Sequence, residues 1–259
     1  MQTATQDSPD VVLSASNLVM NFRGFVAVND VSLQVRKGSI HALIGPNGAG
    51  KTTTFNLLTK FLQPTSGKIV FMGRDITAER PEDIARLGLV RSFQISAVFP
   101  HMTVLENVRV ALQKRHGDWL NFLLSKRNNY KYDEEGMQLL ESVGLEGYAH
   151  DLASDLSYGR KRTLELATTL ALEPQLLLLD EPMAGLGHED IDRVAQIIHT
   201  IAKTRTIVMV EHNLSVVSTL CTRITVLARG SVLAEGDYKT VSADERVIEA
   251  YIGTSPAHA

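Results

Sequence analysis

Residues 45–52 read Gly45-Pro46-Asn47-Gly48-Ala49-Gly50-Lys51-Thr52 and match the pattern G-x-x-x-x-G-K-[ST] without deviation. Glycines let a backbone turn tightly, so that successive N–H groups point inward and surround phosphate oxygens. In this pattern Lys51 reaches the β- and γ-phosphates, Thr52 offers its hydroxyl to Mg²⁺, and the next helix directs its positive end at the anion. The stretch therefore predicts a nucleotide phosphate-binding loop.

The residues on either side of this loop supply the setting that it requires. Residues 39–44 are apolar and short enough for a buried strand, and residues 51–62 predict a helix. The helix would place four apolar side chains on one side: Phe55, Leu58, Phe61 and Leu62. A plain glycine-rich turn is the alternative, and the order strand, glycine loop, helix favours phosphate binding over it.

Composition bounds the class of protein. The chain has 259 residues, 44% hydrophobic and 21% charged, with a net charge of −3, so it can bury a sizeable core and gives no electrostatic reason to expect nucleic acid. Cys221 is the only cysteine, which excludes an internal disulfide and favours a reducing compartment. We expect no signal peptide at residues 1–10, and no apolar run approaches the ~20 residues that span a bilayer. A membrane role would therefore come through a partner.

The order of elements predicts an α/β fold with a mostly parallel sheet. Further strands are predicted at residues 11–17, 31–35, 68–72, 175–179, 206–210 and 224–228. Helices are predicted at residues 81–87, 103–115, 133–143 and 159–172. Residues 116–131 mix aromatic and basic side chains, and we interpret them as part of a helical insertion without a site of its own.

Residues 176–181, Leu-Leu-Leu-Leu-Asp-Glu, form an apolar strand that ends in two acids. A buried strand that delivers Asp180 beside Thr52 would provide the carboxylate that Mg²⁺ requires in a phosphate-loop ATPase. The next carboxylate, Glu181, could then face the γ-phosphate and polarise a water molecule.

Residues 156–160, Leu-Ser-Tyr-Gly-Arg, precede this strand and predict a serine N-cap ahead of an amphipathic helix. Such a helix N-terminus is also a second anion site. The phosphate loop, Leu-Ser-x-Gly-x and apolar-Asp-Glu, in this order and spacing, resemble an ATP-binding-cassette ATPase over residues 11–253. We call residues 156–160 the signature segment.

The resemblance implies a single domain, residues 11–253, between flexible tails at residues 1–10 and 254–259. Its phosphate-loop ATPase core would have a mostly parallel sheet, an N-terminal antiparallel β-subdomain and a helical subdomain inserted at about residues 95–170. The implied cofactors are ATP and Mg²⁺. The implied nucleotide contacts are Phe22, Gly45, Pro46, Asn47, Gly48, Ala49, Gly50, Lys51, Thr52, Thr53, Ser157 and Gly159.

Several of these roles rest on position within the family pattern. Phe22 matches the aromatic residue that stacks on adenine, although a core phenylalanine is the alternative and Phe25 is a rival. Gln94 matches the glutamine that touches Mg²⁺ and the attacking water, and His212 matches the switch histidine that contacts the γ-phosphate. The implied catalytic residues are Glu181, His212, Gln94 and Lys51, and the implied metal ligands are Thr52, Gln94 and Asp180.

The sequence departs from the commonest family pattern at three positions. Tyr158 replaces a glycine, Arg160 replaces a glutamine, and Gly187 stands where an aspartate is frequent, in residues 184–187, which we call the interface loop. These departures, residues 99–108 and the ending at residues 247–253 resemble the ATPase subunit of bacterial branched-chain amino acid importers.

That resemblance implies an assembly. Two subunits, identical or sister ATPases, would pair head to tail, so that Ser157 and Gly159 of one close on the ATP of the other. Membrane permeases would dock in a groove near Gln94, Phe99 and His101, and an extracytoplasmic solute-binding protein would act indirectly. The subunit would be cytoplasmic and peripheral on the inner face of the cell membrane, with no nucleic acid partner.

Other functions make different demands on the sequence. A small G protein needs an Asn-Lys-x-Asp motif, which is absent from the sequence. A soluble cassette for DNA repair or translation needs a long coiled coil or a second cassette, and neither fits in 259 residues. A non-hydrolytic interaction module would lack Glu181 or Lys51, and both are present. An ATPase for lipid or lipopolysaccharide export, or for import of another small polar solute, remains the alternative.

Overall fold

The computed structural model describes residues 10–92, 98–117 and 131–252, which form two β-sheets with helices packed between and beside them. The strands are β1 (Val11–Phe22), β2 (Phe25–Arg36), β3 (Ile40–Ile44), β4 (Ser66–Phe71), β5 (Arg74–Asp75), β6 (Leu89–Arg91), β7 (Leu176–Asp180), β8 (Thr206–Val210), β9 (Arg223–Ala228) and β10 (Ser231–Gly236). The helices are α1 (Lys51–Leu58), α2 (Pro81–Arg86), α3 (Val104–His116), α4 (Asp133–Ser142), α5 (Tyr158–Leu170), α6 (His188–Ala202), α7 (Leu214–Leu220), α8 (Tyr238–Ser242) and α9 (Glu245–Ile252).

The larger sheet has the strand order β10-β9-β3-β8-β7-β6. Its strands run parallel except β10, which is antiparallel to β9. Strands β3, β7 and β8 are buried along their whole length, which explains why the sequence there is mainly apolar. The predicted α/β fold with a mostly parallel sheet is confirmed, although β6 and β10 were not predicted.

The smaller sheet, of order β2-β1-β4-β5, is antiparallel throughout, as expected for the N-terminal β-subdomain. Helix α1 lies between the two sheets, since its side chains share one core with both. Strands β1 and β2 each have 12 residues and are longer than predicted. Asn17 in β1 and Asp30 in β2 have positive φ, and the Asn17 side chain donates a 2.7 Å hydrogen bond to that of Asp30. The two strands therefore stay paired through a register shift at a position where the sequence suggests that a strand ends.

Helix α1 ends at Leu58 and is therefore shorter than the predicted helix at residues 51–62. Thr59 caps it by donating its hydroxyl to the carbonyl of Phe55 at 2.8 Å, and Lys60 then adopts φ +61°. Phe55 and Leu58 are buried as predicted, but Phe61 is 49% exposed. Phe61 follows the end of the helix, so the expectation that it lies with Phe55 and Leu58 on one side of this helix was wrong.

Helices α3, α4 and α5 pack against one another beside the larger sheet. Helix α3 begins with the predicted capping box: the Thr103 N–H donates to Glu106 Oε2 at 2.8 Å, and the Glu106 N–H donates to Thr103 Oγ1 at 3.2 Å. Most of the predicted insertion at residues 116–131 and nearly all of both predicted tails lie outside the described residues. The predicted bounds of the helical subdomain therefore stay a prediction.

A buried histidine in β3 makes the stability of this core sensitive to pH. His41 is 2% exposed and its Nε2 lies 2.8 Å from Thr225 Oγ1. Burial lowers the pKa of His41 from 6.5 to about 4, an effect that Glu235 opposes and Arg223 reinforces. Because the unfolded chain binds this proton between pH 6.5 and 4 and the folded chain does not, the stability contributed by neutral His41 is lost as the pH falls through that window.

We expect the free energy of unfolding to fall by on the order of 2 kcal/mol from this residue between pH 7.5 and pH 5. Urea unfolding at several pH values measures it, and His41→Asn is the control, because asparagine does not titrate. If the pH dependence of unfolding is as steep in His41→Asn as in the wild type over this window, the assignment to His41 is wrong.

Candidate functional site

Three groups of predicted site residues follow neighbouring parallel strands of the larger sheet, β3, β8 and β7. The phosphate loop follows β3, His212 follows β8, and Asp180 and Glu181 lie at the end of β7. Carboxyl ends of parallel strands meet at one edge of a sheet, which is where ligands bind in open α/β folds. The fold therefore gathers the phosphate loop, the Asp180–Glu181 pair and His212, which are distant in sequence, at one edge of the larger sheet.

The phosphate loop connects β3 directly to α1, as its sequence requires. Gly45 has φ +149°, and a Cβ atom there would lie 2.1 Å from the carbonyl oxygen of Leu227. Glycine is thus required both by the backbone conformation and by the close approach of the next strand. Gly50 caps α1 in the left-handed region, and the first backbone N–H groups of the helix lie next to the loop.

Lys51 is half-buried within the loop. Its Nζ donates to the carbonyl oxygens of Gly45 at 2.7 Å and Pro46 at 3.0 Å. Burial lowers the pKa of Lys51, and the nearby carboxylate of Glu181 raises it. The phosphate loop thus holds the Lys51 ammonium group where it interacts electrostatically with Glu181. Thr52 is exposed and Thr53 is half-buried in the first turn of α1.

The two acids at the end of β7 differ in environment. Asp180 is 2% exposed, whereas Glu181 is half-buried and has φ +45°, which is uncommon for a residue other than glycine. The Glu181 N–H donates to the carbonyl of Val210 at 2.9 Å, which ties the β7 turn to the end of β8. Backbone strain of this kind is concentrated at functional sites.

A residue that the sequence did not single out precedes His212. Glu211 is completely buried, and its carboxylate accepts the backbone N–H groups of Met183 at 3.0 Å, His212 at 3.1 Å and Asn213 at 3.3 Å. His212 itself is exposed. The acid therefore locks the segment of His212 to the segment that follows Glu181. The sequence signal that could have identified Glu211 is a carboxylate that directly follows an apolar strand.

Helix α5 is joined to the same acids by Arg162. This buried guanidinium donates to the carbonyls of Asp180 at 2.9 Å, Glu181 at 3.2 Å and Pro182 at 3.2 Å. The structure shows that it fixes the backbone on which both acids are carried.

The signature segment opens α5 as predicted. Ser157 is the N-cap, is exposed, and accepts from the Arg160 N–H at 3.4 Å. A Cβ atom on Gly159 would lie 2.2 Å from the carboxyl carbon of Asp190 in α6, so a larger residue there would require the Asp190 side chain to move. Tyr158 donates its hydroxyl to the Ala184 carbonyl at 3.3 Å. The unusual tyrosine of the signature segment thus contacts the interface loop of its own chain.

Phe22 and Phe25 face each other across the tip of the β1–β2 hairpin. They are 43% and 68% exposed, so the alternative that Phe22 is a core residue is excluded. Both rings are accessible for stacking on a planar ligand.

A groove separates α3 and α5 from α2 and β6. Its volume is about 480 Å³. Its lining includes Phe61, Ile84, Arg91, Phe99, Val110 and Thr168. Asn107 holds the backbone of Phe99 from both sides, accepting its N–H at 2.6 Å and donating to its carbonyl at 3.1 Å. His101 is exposed but does not line this groove, and Gln94 lies outside the described residues.

The donor set suits a magnesium ion that arrives with a nucleotide. Among the described residues, no group of three or more His, Cys, Asp and Glu side chains could hold a metal ion by itself. Mg²⁺ in phosphate-transfer sites takes one or two carboxylates and a hydroxyl, and completes its shell with phosphate oxygens and water. The Thr52 hydroxyl and the Asp180 carboxylate fit that requirement. In the described part of the chain, no helix is both long and apolar enough to cross a bilayer.

Comparison with known proteins gives consistent results along the chain. Residues 28–184 match the family described as ABC transporter, and residues 231–257 match that described as branched-chain amino acid ATP-binding cassette transporter. The sequence is 38% identical over 249 residues to the high-affinity branched-chain amino acid transport ATP-binding protein LivG of Salmonella typhimurium, covering 93% of this chain and 98% of that protein. It is 38% identical over 251 residues to BraF of Pseudomonas aeruginosa, which carries the same description, with the same coverage.

Solved structures agree with the sequence relatives. A nucleotide-free ATP-binding cassette from an ABC transporter superposes with a TM-score of 0.81 at 29% identity, covering 94% of this chain and 99% of that one. The ADP conformation of an ATP-binding cassette of an ABC transporter gives a TM-score of 0.81 at 30% identity, with the same coverage.

Proposed function

Since the chain belongs to the ATP-binding-cassette transporter family, whose cassettes bind and hydrolyse ATP, we propose that it powers import of branched-chain or similar amino acids through partner permeases. The observation that carries the proposal is the coincidence of an intact phosphate loop and Asp180–Glu181 pair with similarity to LivG and BraF along 93% of the chain. The match at residues 231–257 supports the amino acid branch, and no comparison favours the lipid-export alternative.

The phosphate loop is proposed to bind the ATP phosphates through its backbone N–H groups, with the Lys51 ammonium on the β- and γ-phosphates and Phe22 on the adenine. Thr52, Asp180 and Gln94 would hold Mg²⁺, which supplies neutralisation of phosphate charge when bound. This arrangement fits phosphoryl transfer, in which positioning and electrostatics contribute most of the catalysis.

Glu181 is proposed to polarise the attacking water, with His212 and Gln94 orienting it against the γ-phosphate. The support is geometric: β7 and β8 are neighbours, and the Glu181 N–H is bonded to the last residue of β8, two residues before His212. Arg162 and Glu211 would keep these backbones fixed while the nucleotide changes.

One chain holds half of each active site in this proposal. Ser157 is exposed at the N-terminus of α5, where helix N–H groups and a hydroxyl can receive the γ-phosphate of ATP held by a second ATPase subunit. That subunit would be a second copy or a sister ATPase. Residues 11–253 would act as one domain in this pairing, with the helical subdomain at about residues 95–170 carrying the signature segment.

The groove is the proposed dock for a permease, which would place the subunit at the inner face of the cell membrane. Phe99 is 51% exposed at its rim, although its backbone is fixed by Asn107. An exposed aromatic ring on a fixed backbone is suited to anchoring a partner. An extracytoplasmic solute-binding protein would act only through the permease.

Phe99→Asp is expected to abolish co-purification with an amino acid permease, and stimulation by it, while the basal ATPase rate stays near wild type. The aspartate would have to be desolvated in an apolar groove, whereas the free subunit leaves it in water. Met72→Asp, at a residue that is 58% exposed on the smaller sheet, is the matched control and should keep the complex. If co-purification survives in Phe99→Asp, the docking surface lies elsewhere, and capture of a lipid exporter by the wild type would overturn the amino acid assignment.

A further inference from the structure

Arg91, the last residue of β6, bridges the carboxylate of Asp180 and helix α1. One of its terminal nitrogens donates to Asp180 Oδ2 at 2.5 Å, and the other donates to Asn56 Oδ1 at 2.6 Å. The side chain of Asp180 is 3% exposed and that of Arg91 is 13% exposed, so water has little access to the ion pair. This is a short, charge-assisted contact to a proposed metal ligand.

The guanidinium is held in place from several sides. Its carbon lies 4.9 Å from the centre of the Phe55 ring and 5.3 Å from the centre of the Phe61 ring. Together with Asn56, these rings fix the plane of the group before it meets the carboxylate. A partner so constrained imposes an orientation on Asp180.

We propose that Arg91 is a positioning residue for the metal site: by holding Asp180 Oδ2 it leaves Oδ1 for the Mg²⁺ that accompanies ATP. Hydrogen-bonded partners of ligating carboxylates orient them and tune metal affinity. The inference rests on the proposed role of Asp180 as a magnesium ligand. Arg91 and Phe61 also line the groove. Arg91 therefore contacts the proposed metal ligand Asp180 and also forms part of the proposed permease dock.

The test is the Mg²⁺ dependence of ATP binding by the full-length protein, measured by calorimetry. In Arg91→Met, the Mg²⁺ concentration that gives half of the metal-dependent gain in ATP affinity is expected to rise by roughly 10- to 100-fold. ATP affinity in EDTA is expected to stay within about twofold of wild type, because the phosphate loop is untouched. A purely structural role would change both affinities or neither.

Milder variants keep the proposal testable if Arg91→Met does not fold. Arg91→Lys keeps the charge and should recover part of the Mg²⁺ affinity. Asn56→Ala removes the support of the guanidinium without altering any charge, and should raise the Mg²⁺ requirement less than Arg91→Met does. Arg109→Met is the matched control, because Arg109 is also 13% exposed and paired with a carboxylate, that of Asp133 in α4.

The outcomes separate this inference from the proposed function. If Asp180→Asn leaves the Mg²⁺ dependence unchanged, the proposed metal site itself is wrong. If Asp180→Asn removes that dependence while Arg91→Met leaves the Mg²⁺ requirement unchanged or lowers it, the positioning role of Arg91 is overturned. An equal rise in Arg109→Met would show that lost stability, and not lost positioning, is responsible.

Discussion

Lys51→Ala is expected to reduce ATP affinity by about 10- to 100-fold, which is the usual effect of losing a hydrogen bond to a charged group. It is also expected to abolish turnover. Lys51 is the cation carried by the phosphate loop itself, so it is placed to neutralise phosphate charge. The fold should survive, because within the described residues the Lys51 Nζ hydrogen-bonds only to the Gly45 and Pro46 carbonyls of the loop.

Calorimetric titration with ATP measures this loss of affinity, and far-ultraviolet circular dichroism checks the fold. Lys68→Ala is the control, since Lys68 pairs with Asp75 on the exposed face of the smaller sheet and should not affect nucleotide binding. An unchanged ATP affinity in Lys51→Ala would refute the phosphate-site assignment.

Glu181→Gln is expected to separate binding from chemistry. Glutamine has the shape of glutamate and keeps the backbone bond to Val210, but it cannot accept a proton from water. ATP binding should persist, steady-state hydrolysis should fall by about 10²- to 10⁴-fold, and an ATP-bound dimer should accumulate. Phosphate release and size-exclusion chromatography with ATP measure the two effects.

The control for this experiment is Glu134→Gln, at an exposed position on α4. It should hydrolyse ATP at the wild-type rate and should not accumulate the dimer. Wild-type turnover by Glu181→Gln would instead assign the polarising role to another residue at the edge of the larger sheet.

Local sequence was sufficient to predict the parts of the fold that obey local rules. The phosphate loop is contiguous, and its glycines are required by conformations that only glycine adopts easily. Strands β3, β7 and β8 are buried throughout, so each is mainly apolar, and His41 is the one polar residue within β3. In contrast, β6 has three residues and β10 is half-buried at every position, and neither gives a clear period.

The residues that support the site were harder to predict because their partners are distant in sequence. Arg91 meets Asp180 across 89 positions, and Glu211 meets the Met183 N–H across 28. Each contact exists only once the parallel strands are aligned. The end of α1 was misplaced for a different reason, since Lys60 adopts a left-handed conformation more typical of glycine and the Leu62 N–H turns back to the Asn56 carbonyl.

The proposed transport function is tested most directly by an uptake measurement. The subunit, assembled with its permeases in proteoliposomes, would be supplied with ATP on its own side and with binding protein and radiolabelled leucine on the other. We predict ATP-dependent leucine uptake that competes with isoleucine and valine and disappears in Glu181→Gln. ATP hydrolysis that is indifferent to branched-chain amino acids but rises with a lipid or lipopolysaccharide substrate would contradict the account.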